Sequence, residues 1–100
     1  MINSNGKLVK DEEAVINIKN RGYAYGDALF ETIRVNSGSI LFWEDHYFRL
    51  MASMRILRMQ IPMQFTPEFL EEEILTIVAQ NGVANGAARV KLIVNRIAGG

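Results

Sequence analysis

"LFETIRVNSGSILFWEDHYFRLMASMRIL", residues 29–57, changes its period midway. Strict alternation sends Leu29, Glu31, Ile33 and Val35 to one face of a strand and Phe30, Thr32 and Arg34 to the other. "NSGS" (36–39) follows as a turn in which Gly38 supplies a positive φ, and "ILFW" (40–43) returns as the second arm of a hairpin. Beyond it, Tyr47, Leu50, Met51, Met54 and Leu57 recur at helical spacing, with Glu44 and Asp45 suited to the positive N-terminal end. A strand pair running into an amphipathic helix predicts a sheet with helices laid on it.

Working outward, "MINSNGKLV" (1–9) reads as a short hairpin around a Ser-Asn-Gly turn, and "AVINI" (14–18) as another short strand. Gly22 and Gly26 then break regularity before the quoted stretch begins. "IPMQF" (61–65) ends the first helix. Thr66 is placed to cap a second one, with Pro67 at its first position, Leu70, Ile74, Ile77 and Val78 as the buried stripe, and Asn81-Gly82 as its close. "AARVKLIVN" (87–95) is a last strand. The order predicts one α+β domain over residues 1–100, an antiparallel-rich sheet with two helices. Two helices cannot cover both faces of a sheet, so the other face is expected to meet something outside this chain. The final strand runs straight into a glycine pair, which suits a chain that continues, and a longer protein is expected.

Composition narrows the class. Forty-nine per cent apolar residues in one hundred fit a single folded domain. Eleven basic and eleven acidic side chains cancel, so no bulk field draws nucleic acid or an anionic membrane. With no cysteine there is no disulfide, thiolate catalysis or cysteine-ligated metal. A polar N-terminus and no apolar run of ~18 residues argue against a signal peptide or membrane span, leaving a cytoplasmic location as the expectation.

Candidate chemistry concentrates on the quoted strand and helix. Phe30, Thr32 and Arg34 together suit the wall of a polar ligand site, although taken alone they read first as a solvent-facing strand side. Glu31, among apolar neighbours, needs a partner, with Arg34 or Arg49 as candidates. His46 and Arg49, three apart, share a helix face roughly opposite the apolar stripe, so a solvated side is expected of them. An arginine's rigid fork fits a phosphate dianion. None of the four lysines (7, 10, 19 and 91) has the apolar surroundings that lower a lysine pKa for covalent work. "EEE" (71–73) is a helix exterior, and one histidine does not make a metal site.

"RGYAYGDALFETIRV" followed by "GSILFWEDHYFRLMASMRIL" resembles the N-terminal part of class IV aminotransferases, the fold-type IV enzymes that use pyridoxal 5'-phosphate. The matching residues are Arg21, Gly22, Gly26, Asp27, Phe30, Glu31, Arg34, His46, Arg49, Leu50, Ser53 and Leu57. The resemblance implies that Arg49 contacts the cofactor phosphate and that Tyr25 and Phe30 line the substrate side. It also implies that Arg34, on the face of Phe30, belongs to that side, and that Arg89 or Arg96 of the last strand meets the substrate carboxylate. The lysine that holds the cofactor would lie in a larger C-terminal domain beyond residue 100, so this piece is expected to be inert alone.

Within the family, Phe30 stands where D-amino acid transaminases have a tyrosine. It fits branched-chain aminotransferases, working between branched-chain L-amino acids and 2-oxoglutarate as homodimers, and also 4-amino-4-deoxychorismate lyases. A rival of another kind is an interaction domain that keeps the fold without the chemistry.

Overall fold

Nine residues, Ala28–Asn36, form the strand around which the rest is arranged. The computed structural model describes residues 1–13 and 28–95. In chain order it has β1 (Ile2–Ser4), β2 (Lys7–Val9), a 3-10 turn at Asp11–Glu13, β3 (Ala28–Asn36), β4 (Ser39–Ile40), α1 (Trp43–Ile56), α2 (Pro67–Gln80) and β5 (Ala87–Asn95). This is the expected α+β class with antiparallel pairing and two helices. The strand expected at 14–18, and Gly22 and Gly26, lie outside the described residues.

β3 is the middle of a three-stranded sheet ordered β4-β3-β5. β5 runs antiparallel along its whole length, from Ala28 opposite Asn95 to Asn36 opposite Ala87. β4 is much shorter than the arm expected at 40–43, pairing only Val35 with Ile40 and Asn36 with Ser39. The Leu41 N–H still donates to Arg34 O (2.9 Å), but Phe42 swings into the left-handed region (φ 56, ψ 38) and α1 begins at Trp43. Both turn residues of this hairpin, Ser37 (φ 50) and Gly38 (φ 81), have positive φ. That geometry matches the twist of the flanking strands, and it needs two such residues where the sequence offers one glycine.

The two periods meet in the core. Ile33 and Val35, each 1% exposed, point from β3 at Tyr47, Leu50, Met51 and Met54 of α1 and at Leu70, Ile74 and Val78 of α2. Trp43 joins them, whereas Leu57 is only half-buried. The Trp43 indole N–H donates to Pro67 O (3.1 Å) and the Tyr47 hydroxyl to Phe65 O (2.6 Å). Two large aromatics of α1 thereby satisfy carbonyls at the entry to α2 while burying their rings.

Thr66 caps α2 as expected: in extended geometry (φ −81, ψ 160), its Oγ1 accepts the Phe69 N–H at 3.1 Å, with Pro67 following. Thr66→Ala is expected to lower stability by about 1 kcal/mol, read as a lower urea midpoint at unchanged m-value. At the other end, Gly82 (φ 75) closes the helix by donating to Ala79 O (3.0 Å), and Val83 donates to Val78 O (3.3 Å). This is the glycine-terminated pattern. α1 ends in the same way, with Arg58 (φ 55) donating to Arg55 O (3.0 Å) and Met59 to Met54 O (2.8 Å). The helix therefore stops at Ile56, ahead of the "IPMQF" segment expected to end it.

The β1–β2 hairpin is a separate two-stranded sheet turning at Asn5 (φ 58) and Gly6 (φ 87). Asn3 Nδ2 donates to Glu73 Oε2 (2.6 Å) and Asn81 Nδ2 to Met1 O (3.1 Å), which docks it on α2. Both helices lie on one face of the β3 sheet. On the other, Phe30 (63% exposed) stands opposite Ile93 (51%), Thr32 opposite Lys91, and Arg34 opposite Arg89.

Candidate functional site

Two groups of polar side chains use opposite faces of β3. The outer group joins Arg34, Arg89 and Lys91, three cations brought together by the antiparallel register. Among the described residues of β3 and β5 on that face there is no acid. Lys91 Nζ lies 5.0 Å from the centroid of the Phe30 ring, a cation–π contact. Such a face suits carboxylates, which guanidinium forks and an ammonium both bind, beside the apolar surface of Phe30 and Ile93. Phe30, Arg34 and Arg89 thus share the outer face of the β3–β5 pair, with Arg34 directly opposite Arg89. The structure adds Lys91, which the sequence reading passes over; the alternation in "RVKLIV" holds the signal, since Arg89, Lys91 and Ile93 share a face. Tyr25 and Arg96 lie outside the described residues.

The inner group centres on Glu31, whose side chain is 12% exposed. Arg49 Nε donates to Glu31 Oε2 (3.0 Å) and Oε1 (3.2 Å), and Arg49 Nη2 donates to Oε1 (2.7 Å). His46 Nδ1 lies 2.6 Å from the same Oε1 and 3.1 Å from Arg49 Nη2. The solvated side expected of this helix face holds for Arg49 but not for His46: α1 turns both toward Glu31, and the His46 side chain is only 15% exposed. Arg34, the other partner considered for Glu31, is on the opposite face. The apolar positions of α1 pack on β3, so the flank beside them falls on the one carboxylate of the inner face.

The short Nδ1–Oε1 distance needs a proton between the two atoms. Glu31 is held below the usual carboxylate range, first by the hydrogen bonds from Arg49, with a smaller contribution from His46 outweighing, together with Arg49, the opposing effect of burial. An ionised Glu31 accepts this contact from the His46 tautomer that carries its hydrogen on Nδ1. Arg49 is in turn raised above its ordinary value, chiefly by its hydrogen bond to Glu31. A carboxyl whose pKa is lowered by folding stabilises the native state above its unfolded value of about 4.5 and loses that contribution as pH falls through the lower folded value. Glu31→Gln is accordingly expected to flatten the acid limb of stability below pH 4.5, compared by urea midpoints across the pH range.

The Arg49 side chain is nonetheless 59% exposed, and among the described residues its Nη1 has no hydrogen-bond partner. A cavity of about 290 Å³ beside β3 is lined by Thr32, Arg34, Leu41, Phe42 and His46, so one hollow touches both groups. A larger, mostly apolar hollow of about 580 Å³ between α2, β5 and the β1–β2 hairpin reaches Arg89 and Lys91 of the outer group but none of Glu31, His46 and Arg49. Only the smaller one reaches His46 of the inner group. Among the described residues no cluster of three metal-ligating side chains occurs, and no helix is long and apolar enough to cross a membrane.

A family model described as amino-transferase class IV matches residues 28–100. A D-alanine aminotransferase of Listeria monocytogenes is 34% identical over 82% of this chain, which corresponds to 28% of that protein. A branched-chain aminotransferase from the thermophilic archaeon Thermoproteus uzoniensis superposes with a TM-score of 0.77 at 26% identity, covering 90% of this chain and 31% of that one. Another branched-chain amino acid aminotransferase, 32% identical with a TM-score of 0.76 over 89% of this chain and 29% of that one, is known with pyridoxamine 5'-phosphate. A putative 4-amino-4-deoxychorismate lyase of Legionella pneumophila superposes with a TM-score of 0.73 at 29% identity, over 86% of this chain and 31% of that one. The chain thus spans less than a third of the length of each of these relatives.

Proposed function

This chain belongs to the class IV aminotransferase family, and from that premise we propose that it is the N-terminal small domain, residues 1–100, of a pyridoxal 5'-phosphate enzyme that moves an amino group between an amino acid and a 2-oxo acid. The cofactor, when bound, supplies the electron sink for charge developing at the substrate α-carbon. The residues present fit it: an exposed guanidinium, anchored by a carboxylate along one edge and open along the other, is a natural phosphate contact, and Arg49 takes that role. The lysine and the acidic partner of the pyridine nitrogen are assigned to a C-terminal domain, and the assembled enzyme to a cytoplasmic homodimer.

The substrate side is the outer face of β3 and β5. One observation carries this reading: apolar Phe30 and Ile93 adjoin Arg34, Arg89 and Lys91 on a single surface. A branched-chain L-amino acid needs an apolar wall and one cation, and 2-oxoglutarate needs cations for two carboxylates. Tyr25 and Arg96 complete that assignment from the family motif. The likeness to the Legionella protein favours a second reading, a lyase that releases pyruvate from aminodeoxychorismate. The Listeria relative makes D-alanine the necessary control donor. In the full-length protein, 2-oxoglutarate-dependent glutamate formation from L-leucine is the expected result. Pyruvate release without transamination would move the protein to the lyases, and activity with D-alanine alone would overturn the branched-chain assignment.

A further inference from the structure

We propose that Glu31 is a positioning residue for the anion-binding arginine: its carboxylate fixes Arg49 so that the outer edge of the guanidinium meets the cofactor phosphate, and His46 fixes the carboxylate. The proposal rests on the reading of Arg49 as the phosphate contact.

An exposed arginine on a helix ordinarily samples several rotamers, and a ligand that needs one of them bears the ordering cost on binding. Here the ordering is already done. Glu31 engages Nε and Nη2 together, at 2.7–3.2 Å, so the plane of the guanidinium is set by a carboxylate that rises from a central strand. Glu31 is itself held from the other side, because Nδ1 of His46 lies 2.6 Å from Oε1 and donates to it in the Nδ1–H tautomer. Arg49 Nη2 and Nδ1, 3.1 Å apart, are then two donors converging on one acceptor rather than a bonded pair. Ile33 of the strand and Leu50 and Met54 of the helix belong to one core cluster, which fixes the backbones that carry the three side chains relative to each other. What Glu31 leaves open is Nη1, which with the outward side of Nη2 can offer the phosphate a fork. A purely structural ion pair would explain the burial of Glu31. The positioning role makes a further demand, that removing the carboxylate weakens recognition of the phosphate specifically.

The test compares pyridoxamine 5'-phosphate with unphosphorylated pyridoxamine, by fluorescence titration of the full-length protein freed of cofactor. The ratio of the two dissociation constants measures phosphate recognition without turnover. Second-layer partners of metal ligands are worth about 10- to 100-fold in affinity, and E31Q is expected to lower the phosphate preference by about tenfold on that analogy, with pyridoxamine itself unchanged. If E31Q does not fold, Glu31→Asp keeps the charge while pulling it out of reach, and the same loss is expected. His46→Asn, whose amide can replace Nδ1–H, should retain most of the preference. A preference unchanged in E31Q but lost in Arg49→Ala would overturn the positioning role and leave the phosphate contact standing. A preference unchanged in both would overturn the two together.

Discussion

Ile33→Ala is expected to lower folding stability by about 2 to 5 kcal/mol. Ile33 is 1% exposed at the centre of the inner face of β3, in one cluster with the buried residues of both helices. The substitution removes buried methyl and methylene groups and leaves a cavity whose walls, helices on one side and a paired strand on the other, cannot collapse into it. Ile33→Val, which removes a single methylene, should cost about 0.5 to 1.5 kcal/mol. Ile56→Ala, at a position 78% exposed on α1, is the control, expected within about 0.5 kcal/mol of the parent. Urea unfolding at constant m-value separates the three. An Ile33→Ala loss no larger than that control would contradict the core as described.

Arg49→Ala is expected to weaken binding of pyridoxamine 5'-phosphate to the full-length protein by about tenfold to a hundredfold, the range associated with losing a hydrogen-bonded charged partner. Pyridoxamine should bind as before, because the lost contact is with the phosphate alone. Arg49→Lys should fall between, since an ammonium restores the charge without the planar fork. Arg34→Ala and Arg89→Ala, on the other face of the sheet, should instead raise the KM for the 2-oxo acid with cofactor affinity unchanged. If the two sets of variants exchanged phenotypes, the assignment of the inner face to cofactor and the outer face to substrate would be wrong.

The two faces of β3 are legible in the sequence because a half-buried strand has a strict period of two, and a run as regular as 29–35 admits one division. The start of α2 is legible for a similar reason: a threonine cap followed by proline has few other uses. The ends of the helices divide instructively. Gly82 announces its left-handed turn, since glycine takes that conformation freely, whereas α1 makes the same closure with Arg58, a residue that carries no such signal. The early stop of β4 is hidden likewise, because Phe42 in the left-handed region interrupts a run that otherwise reads as a strand. At the site, the need of Glu31 for a partner follows from its neighbours and alternation turns Arg34 to the other face, but that Arg49 reaches Glu31 depends on how α1 crosses the sheet. Alternation alone puts Lys91 on the face of Arg89, and the register then sets both beside Arg34.

Arg34 and Arg89 face each other across two paired strands, and like charges in that relation weaken a sheet. An anion bound between them removes the repulsion as well as adding its own attraction. On the proposed assignment, binding and folding are one equilibrium, and the melting temperature should climb with dicarboxylate concentration as mass action requires. Simple salt should reproduce part of the effect by screening, over a range of about 10 Å at 0.1 M. The bare surface thus carries an unrelieved repulsion, and relief of it by a bound carboxylate is the expected signature of the proposed substrate side.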